Sequence, residues 1–131
     1  EIRKKRYEKS MLARLDTGVI ADRLMEMMRE EKLYRDSDIS LASVAERMKL
    51  SPHQLSQHLN ERMQTGFWDF VNRFRVEEAG ELLRKIPDVS VISVCYRVGF
   101  NTKSSFNAAF KKMTGATPRE FKIGSGNRRE R

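Results

Sequence analysis

A single cysteine, Cys95, and two histidines, His53 and His58, stand in 131 residues. A disulfide framework needs paired cysteines, and a structural zinc site needs four Cys or His ligands at short spacings, so neither a metal nor another cofactor is expected. A lone thiol suits a reducing compartment and places the chain in the cytoplasm. No apolar run approaches the ~18 residues of a membrane span, and the basic start of the chain has no apolar stretch behind it, so neither a transmembrane helix nor a signal peptide is legible. Glycine-rich phosphate loops are missing, and no nucleophile pairs with a base at a recognisable spacing. Catalytic residues are therefore expected to be none. Period-two alternation is also absent, which leaves β-strands without support.

What the sequence does hold is positive charge and helical periodicity. Lys and Arg number 26 against 18 Asp and Glu, a net +8, and 39% hydrophobic residues suffice for one compact domain or two very small ones. The excess is local: residues 1–14 carry six basic and two acidic groups, residues 15–39 four and seven, residues 40–66 three and two, and residues 88–122 six and two. Basic ends and a basic C-terminal half point to a polyanionic partner. Because the chain opens at Glu1, it reads as a fragment, with residues 1–16 a basic linker from an upstream region. Arg3, Lys4, Lys5, Arg6 and Lys9 there would serve as a DNA-contacting arm or as the cytoplasmic flank of a membrane-embedded sensor.

Val19, Ile20, Leu24, Met27 and Met28 recur at helical spacing and predict a helix over 17–32 whose Met25, Met27 and Met28 pack inward. Leu41, Val44, Ala45 and Met48 form a short helix behind Ser40. Ser51-Pro52-His53-Gln54 is a capping box with proline at the first helical position, so a third helix starts there. Leu55, Leu59 and Met63 are its apolar face; His53, Gln54, Gln57 and Asn60 point elsewhere. Residues 67–85 read as one helix whose apolar face rotates, with Phe67, Phe70, Val71 and Phe74 in one stripe and Ala79, Leu82, Leu83 and Ile86 in another. A helix shared by two small cores would do this. Its Glu77, Glu78 and Glu81 are expected to make exposed pairs with Arg73, Arg75, Arg84 and Lys85. Pro87 ends it. Val91, Val94, Cys95 and Val98 mark the next helix, and Phe106, Phe110 and Met113 the one after. Thr117-Pro118-Arg119-Glu120 is a second capping box, opening a last helix with Phe121, and residues 124–131 are expected to be a flexible tail. The fold class is all-α, with about seven helices.

Laying the second half on the first exposes a repeat. Leu41, Val44, Ala45, Met48 and Leu50 match Val91, Val94, Cys95, Val98 and Phe100, and Leu55, Leu59, Phe67 and Phe70 match Phe106, Phe110, Pro118 and Phe121. Each unit is a short helix, a tight turn and a longer helix with a polar leading face, the pattern of a helix-turn-helix. Ala45 and Cys95 supply the small side chain that a close helix crossing demands. Gly99 tolerates positive φ in the turn, whereas Lys49 at the equivalent place would be strained if left-handed. The organisation is thus a first subdomain over 17–66, a linker helix over 67–86 and a second subdomain over 87–123. A 19-residue helix is about 28 Å long, and successive major grooves on one side of DNA lie about 34 Å apart, so one rigid helix could hold two reading heads a turn apart.

From about Ile39 to Lys122 the sequence resembles the DNA-binding domain of the AraC/XylS family of bacterial transcription regulators. The resemblance is strongest in Val94-Cys95-Tyr96-Arg97-Val98-Gly99-Phe100, Ser105-Phe106-Asn107-Ala108-Ala109-Phe110-Lys111-Lys112 and Gly115-Ala116-Thr117-Pro118 with Phe121; Asn72-Arg73-Phe74-Arg75-Val76 with Ala79 is similar to the family's linker helix. It implies a monomeric module with two helix-turn-helix units that binds double-stranded promoter DNA and contacts RNA polymerase, beneath a separate sensor domain. The family's base-contacting places fall on His53, Ser56 and Gln57, and on Lys103, Ser104, Asn107 and Ala108. Gln57 could pair with adenine and His53 donate to guanine, while Ala108 departs from the long polar side chain frequent there and could touch only a thymine methyl. Weaker base reading by the second unit follows. Ser51, Arg73, Asn101, Thr102, Lys111 and Lys112 are expected on phosphates, because helix N-termini and lysines position without specifying. The competing readings are a helical protein-protein adaptor and a membrane-proximal signalling module; the acidic polar face of 17–32 disfavours anionic lipid.

Overall fold

The computed structural model describes residues 17–130. The basic segment 1–16 lies outside them. Among the described residues there are seven α-helices and no strand: α1 (Thr17–Arg29), α2 (Leu41–Arg47), α3 (Pro52–Arg62), α4 (Phe67–Lys85), α5 (Val91–Arg97), α6 (Lys103–Thr114) and α7 (Pro118–Glu130), with a 3-10 turn at Leu33–Arg35.

Local chemistry fixes most of these boundaries. Both sequence-predicted capping boxes form: Ser51 Oγ accepts from the Gln54 amide at 3.1 Å while the Ser51 amide donates to Gln54 Oε1 at 2.9 Å, and Thr117 and Glu120 exchange the same two bonds at 3.2 Å. Ser40 and Ser43 form a third at the start of α2. Helices α2 and α5 end identically. The Lys49 amide donates to the Glu46 carbonyl and the Leu50 amide to the Ala45 carbonyl, and Gly99 and Phe100 repeat this on Tyr96 and Cys95. This is a Schellman turn, whose pivot residue is left-handed; Lys49 has φ 60° and Gly99 φ 113°.

One expectation needs correction. The first helix stops at Arg29 rather than continuing to residue 32, because Lys32 turns left-handed (φ 53°) and the following 3-10 turn carries Tyr34 into the core. At the other end α7 runs from Pro118 to Glu130.

The hydrophobic residues form two clusters that meet on α4. Leu24, Met27, Met28, Tyr34, Ile39, Val44, Ala45, Leu55, Leu59, Phe70 and Val71 make the first. Val76, Ala79, Leu83, Val94, Cys95, Val98, Phe100, Phe106, Ala109 and Phe110 make the second. The change of stripe along α4 is therefore the change of core, and α1 packs on the first unit as its methionines implied. Ala45 and Cys95 are both fully buried at their helix crossings.

Candidate nucleic-acid interface

In each unit the long second helix buries one side and leaves its leading face to solvent. On α3, Leu55 and Leu59 are fully buried, while His53 and Gln57 are exposed and Ser56 is half-buried. Gln57 is oriented by a 3.1 Å bond from its Nε2 to Glu61 Oε1, one turn on. On α6, Phe106 and Phe110 are buried and Lys103, Ser104 and Ala108 exposed, with Asn107 half-buried. The seven residues expected on bases thus gather into two patches, one per unit.

The expected phosphate contacts have other partners as well. Ser51 and Thr102 are N-caps, each accepting an amide from the third residue of its helix. Asn101 donates from Nδ2 to the Ser37 carbonyl at 3.1 Å, which leaves its second amide hydrogen available. Lys112 pairs with Asp69 of α4 at 2.9 Å, both side chains more than half exposed, an ion pair of little energetic weight. Lys111 is exposed and has no ion pair among the described residues. Arg73 and Lys112, with Asn60, Gln64, Asp69 and Met113, line an open cleft of about 400 Å³ between the two units.

Pattern reading missed three groups. His58 is buried, only 7% exposed, with Nε2 lacking a hydrogen-bond partner among the described residues. Burial, and then the charge of Arg62, holds its pKa below that of an ordinary histidine. Arg75 was expected in an exposed pair on α4 but is 5% exposed and bonds backbone carbonyls instead. Glu78 was expected to pair within the helix too. It is held by Arg35, 43 residues away, through Nε to Oε1 at 2.8 Å and a second, shorter bond. Burial alone would raise the Glu78 carboxyl, but the Arg35 bonds and charge outweigh it and hold it below the usual carboxylate range. Within α4 only Glu81 and Lys85 form the expected kind of pair, at 4.0 Å.

Two helix-turn-helix units, each presenting the polar face of its second helix and joined by one helix, define a bipartite nucleic-acid-binding module. A family model described as a helix-turn-helix domain matches residues 44–123. The arabinose operon regulatory protein of Escherichia coli is 34% identical over 89 residues, which cover 68% of this chain and 30% of that protein. The C-terminal domain of AraT, a response regulator from Geobacillus stearothermophilus, matches with 32% identity and a TM-score of 0.66 over 71% of this chain and 76% of that one. The C-terminal domain of the two-component response regulator yesN from Fusobacterium nucleatum matches with 28% identity and a TM-score of 0.68 over 78% and 97%. The chain belongs to the AraC-type helix-turn-helix family of transcription regulators and is a DNA-binding domain of it. It spans under a third of the length of the arabinose regulators it matches.

Proposed function

We propose that this domain recognises a double-stranded promoter site by setting α3 and α6 in successive major grooves on one face of the duplex. The observation that carries the reading is the repetition of one turn and one exposed polar face on a single 19-residue helix. His53, Ser56 and Gln57 read bases in the first groove. Lys103, Ser104 and Asn107 approach the second, where Ala108 offers only a methyl contact, so α3 supplies most of the sequence preference. Ser51, Arg73, Asn101, Thr102, Lys111 and Lys112 hold phosphates, which adds affinity without discrimination.

The domain acts as a monomer beneath a sensor domain and contacts RNA polymerase from the promoter; the greater length of its relatives supports the first of these partners. No catalytic step enters this function. Among the described residues no helix is long and apolar enough to cross a membrane.

Selection of bound duplexes from a random pool, followed by anisotropy titrations on the selected site and a scrambled one, tests the assignment. Gln57→Ala should cost about 1–3 kcal/mol on the selected site alone and relax preference at one base pair. Lys111→Ala should weaken both duplexes equally and reduce the salt slope by about 1. Equal losses from both variants on both duplexes would refute the division of roles.

A further inference from the structure

Residues 34–37 lie in the first unit, yet their backbone is fastened to the linker helix and the second unit. Arg75 of α4 donates from Nε to the Tyr34 carbonyl at 2.7 Å and from Nη2 to the Asp36 carbonyl at 3.2 Å. Its guanidinium lies 5.3 Å over the ring of Phe100, a member of the second core. Asn101 holds the Ser37 carbonyl at 3.1 Å, and Arg35 pairs with Glu78 of α4. Gly99 is so close that a Cβ there would stand 2.3 Å from the Tyr34 carbonyl. The segment is a strap across α4, and it grips residues 99–101, directly before Thr102, the N-cap of the recognition helix α6.

A strap at this place answers a geometric problem. Two small cores packed on one helix can still twist against each other through small adjustments of that packing, and a second attachment resists the twist. Inserting one base pair moves the second groove by about 3.4 Å along the duplex and about 34° around it, so the rotation a strap prevents is the one that would let the domain tolerate altered spacing. Arg75 is suited to this because a planar guanidinium bridges two carbonyls and stacks on a ring in one orientation only. Burial disfavours its charge, which the Asp36 carboxylate only partly offsets, and the two carbonyls it holds would lose a donor if it were removed.

We propose that Arg75, acting through the strap of residues 34–37, is the positioning residue that fixes the spacing between the two reading heads, and so determines which separation of half-sites the domain accepts. This rests on the reading in which both heads occupy grooves.

The test takes the duplex selected by the unmodified protein and derivatives with one or two base pairs added or removed between its two preferred patches. Affinities are measured at one salt concentration for the unmodified chain, Arg75→Met, Arg75→Lys and Asn101→Ala. The unmodified chain should lose about tenfold or more on a one-base-pair insertion, the scale of a mismatched base pair. Arg75→Met should bind the parent duplex more weakly but treat parent and insertion alike within about threefold. Arg75→Lys, which keeps one donor direction and loses the fork, should fall between them, and Asn101→Ala should shift the same way by less. Leu59→Val, which loosens the first core and leaves every hydrogen bond of the strap in place, should keep the unmodified spacing profile. If Arg75→Met does not fold, Arg35→Gln, at a strap residue with no role assigned on DNA, carries the comparison. Equal losses on every spacer in Arg75→Met and Arg35→Gln would overturn the inference. A flat profile for the unmodified chain would instead overturn the two-groove reading.

Discussion

The two helix-turn-helix units share a backbone plan and differ in how they are closed. The first is covered by α1, and its core joins leucines and methionines, with Leu24, Met27, Met28, Leu55 and Leu59 nearly inaccessible, to the rings of Tyr34, Phe74 and Phe70. The second is covered by α7, and its core is a chain of rings in which Phe100, Phe106, Phe110 and Phe121 follow one another at 5.2, 5.7 and 5.2 Å between centroids. A pair of helices this short buries too little area to stand alone. Each unit therefore recruits half of α4 and one further helix, from opposite ends of the chain. The motif constrains the turn and the exposed face, while the covering helix is free to differ. The turns differ as well: Lys49 and Gly99 occupy the same left-handed position, but only Gly99 is pressed against another segment.

That contrast gives the largest expected effect. A Cβ on Gly99 would meet the Tyr34 carbonyl at 2.3 Å, Arg75 Nε at 2.9 Å and Arg35 Cα at 3.0 Å, two of the three being backbone atoms that cannot rotate aside. Its φ of 113° is also one that side chains rarely adopt. Gly99→Ala should cost more than about 3 kcal/mol in urea unfolding, because steric overlap and backbone strain add. A cost below about 1 kcal/mol would show that the strap yields, and that the second turn resembles the first more closely than its packing indicates.

Much of this was legible because it is local. Capping boxes at Ser51 and Thr117, the proline starts and the continuous helix 67–85 each depend on residues within a few positions, and each forms as read. The rotation of the apolar face on α4 was enough to infer two cores. Arg75 was misread because charge on a helix ordinarily means solvent. The available signal was its place between Val71 and Ala79, four residues from each on the inner seam. The partner of Glu78 lies 43 residues away and could not be found from spacing. His58 was hidden because it sits one position from Leu59, between Gln57 and Asn60, which do face out. The seven base-contact candidates all lie on the open faces expected of them, with Ser56 and Asn107 partly covered.

His58 separates the units by pH. The second unit holds no histidine, and in the first the buried ring is kept neutral by desolvation and by the nearby charge of Arg62. The unfolded chain takes up a proton near the ordinary value of 6.5, while the folded chain resists until lower pH. Stability from the neutral ring is therefore fully present above about 6.5 and is lost as the pH falls through the depressed folded value. Urea unfolding at pH 7, 6 and 5 should show a decline that His58→Leu abolishes. At pH 7 that variant should be neutral or more stable, since it removes an unpaired buried polar atom. A decline of the same slope in His58→Leu would assign the pH dependence to carboxylates instead.

The smallest effect expected has the opposite sign from that at Gly99. Lys49 is exposed at φ 60°, its amide bonded to the Glu46 carbonyl at 3.1 Å, and its only evident cost is the left-handed backbone. Glycine removes that cost, about 1–2 kcal/mol, but gives the unfolded chain extra freedom worth about 0.4–1 kcal/mol. Lys49→Gly should therefore stabilise the domain by up to about 1.6 kcal/mol, with Lys49→Asn intermediate because asparagine tolerates this conformation. Urea unfolding of the three chains at pH 7, above the histidine transition, measures it. A gain from both substitutions would mean that the first turn carries strain with no structural return, while the second uses its glycine to admit the strap. A loss from Lys49→Gly would mean that the lysine side chain itself holds the first turn, and the two turns would then be anchored by different means rather than one of them being unanchored.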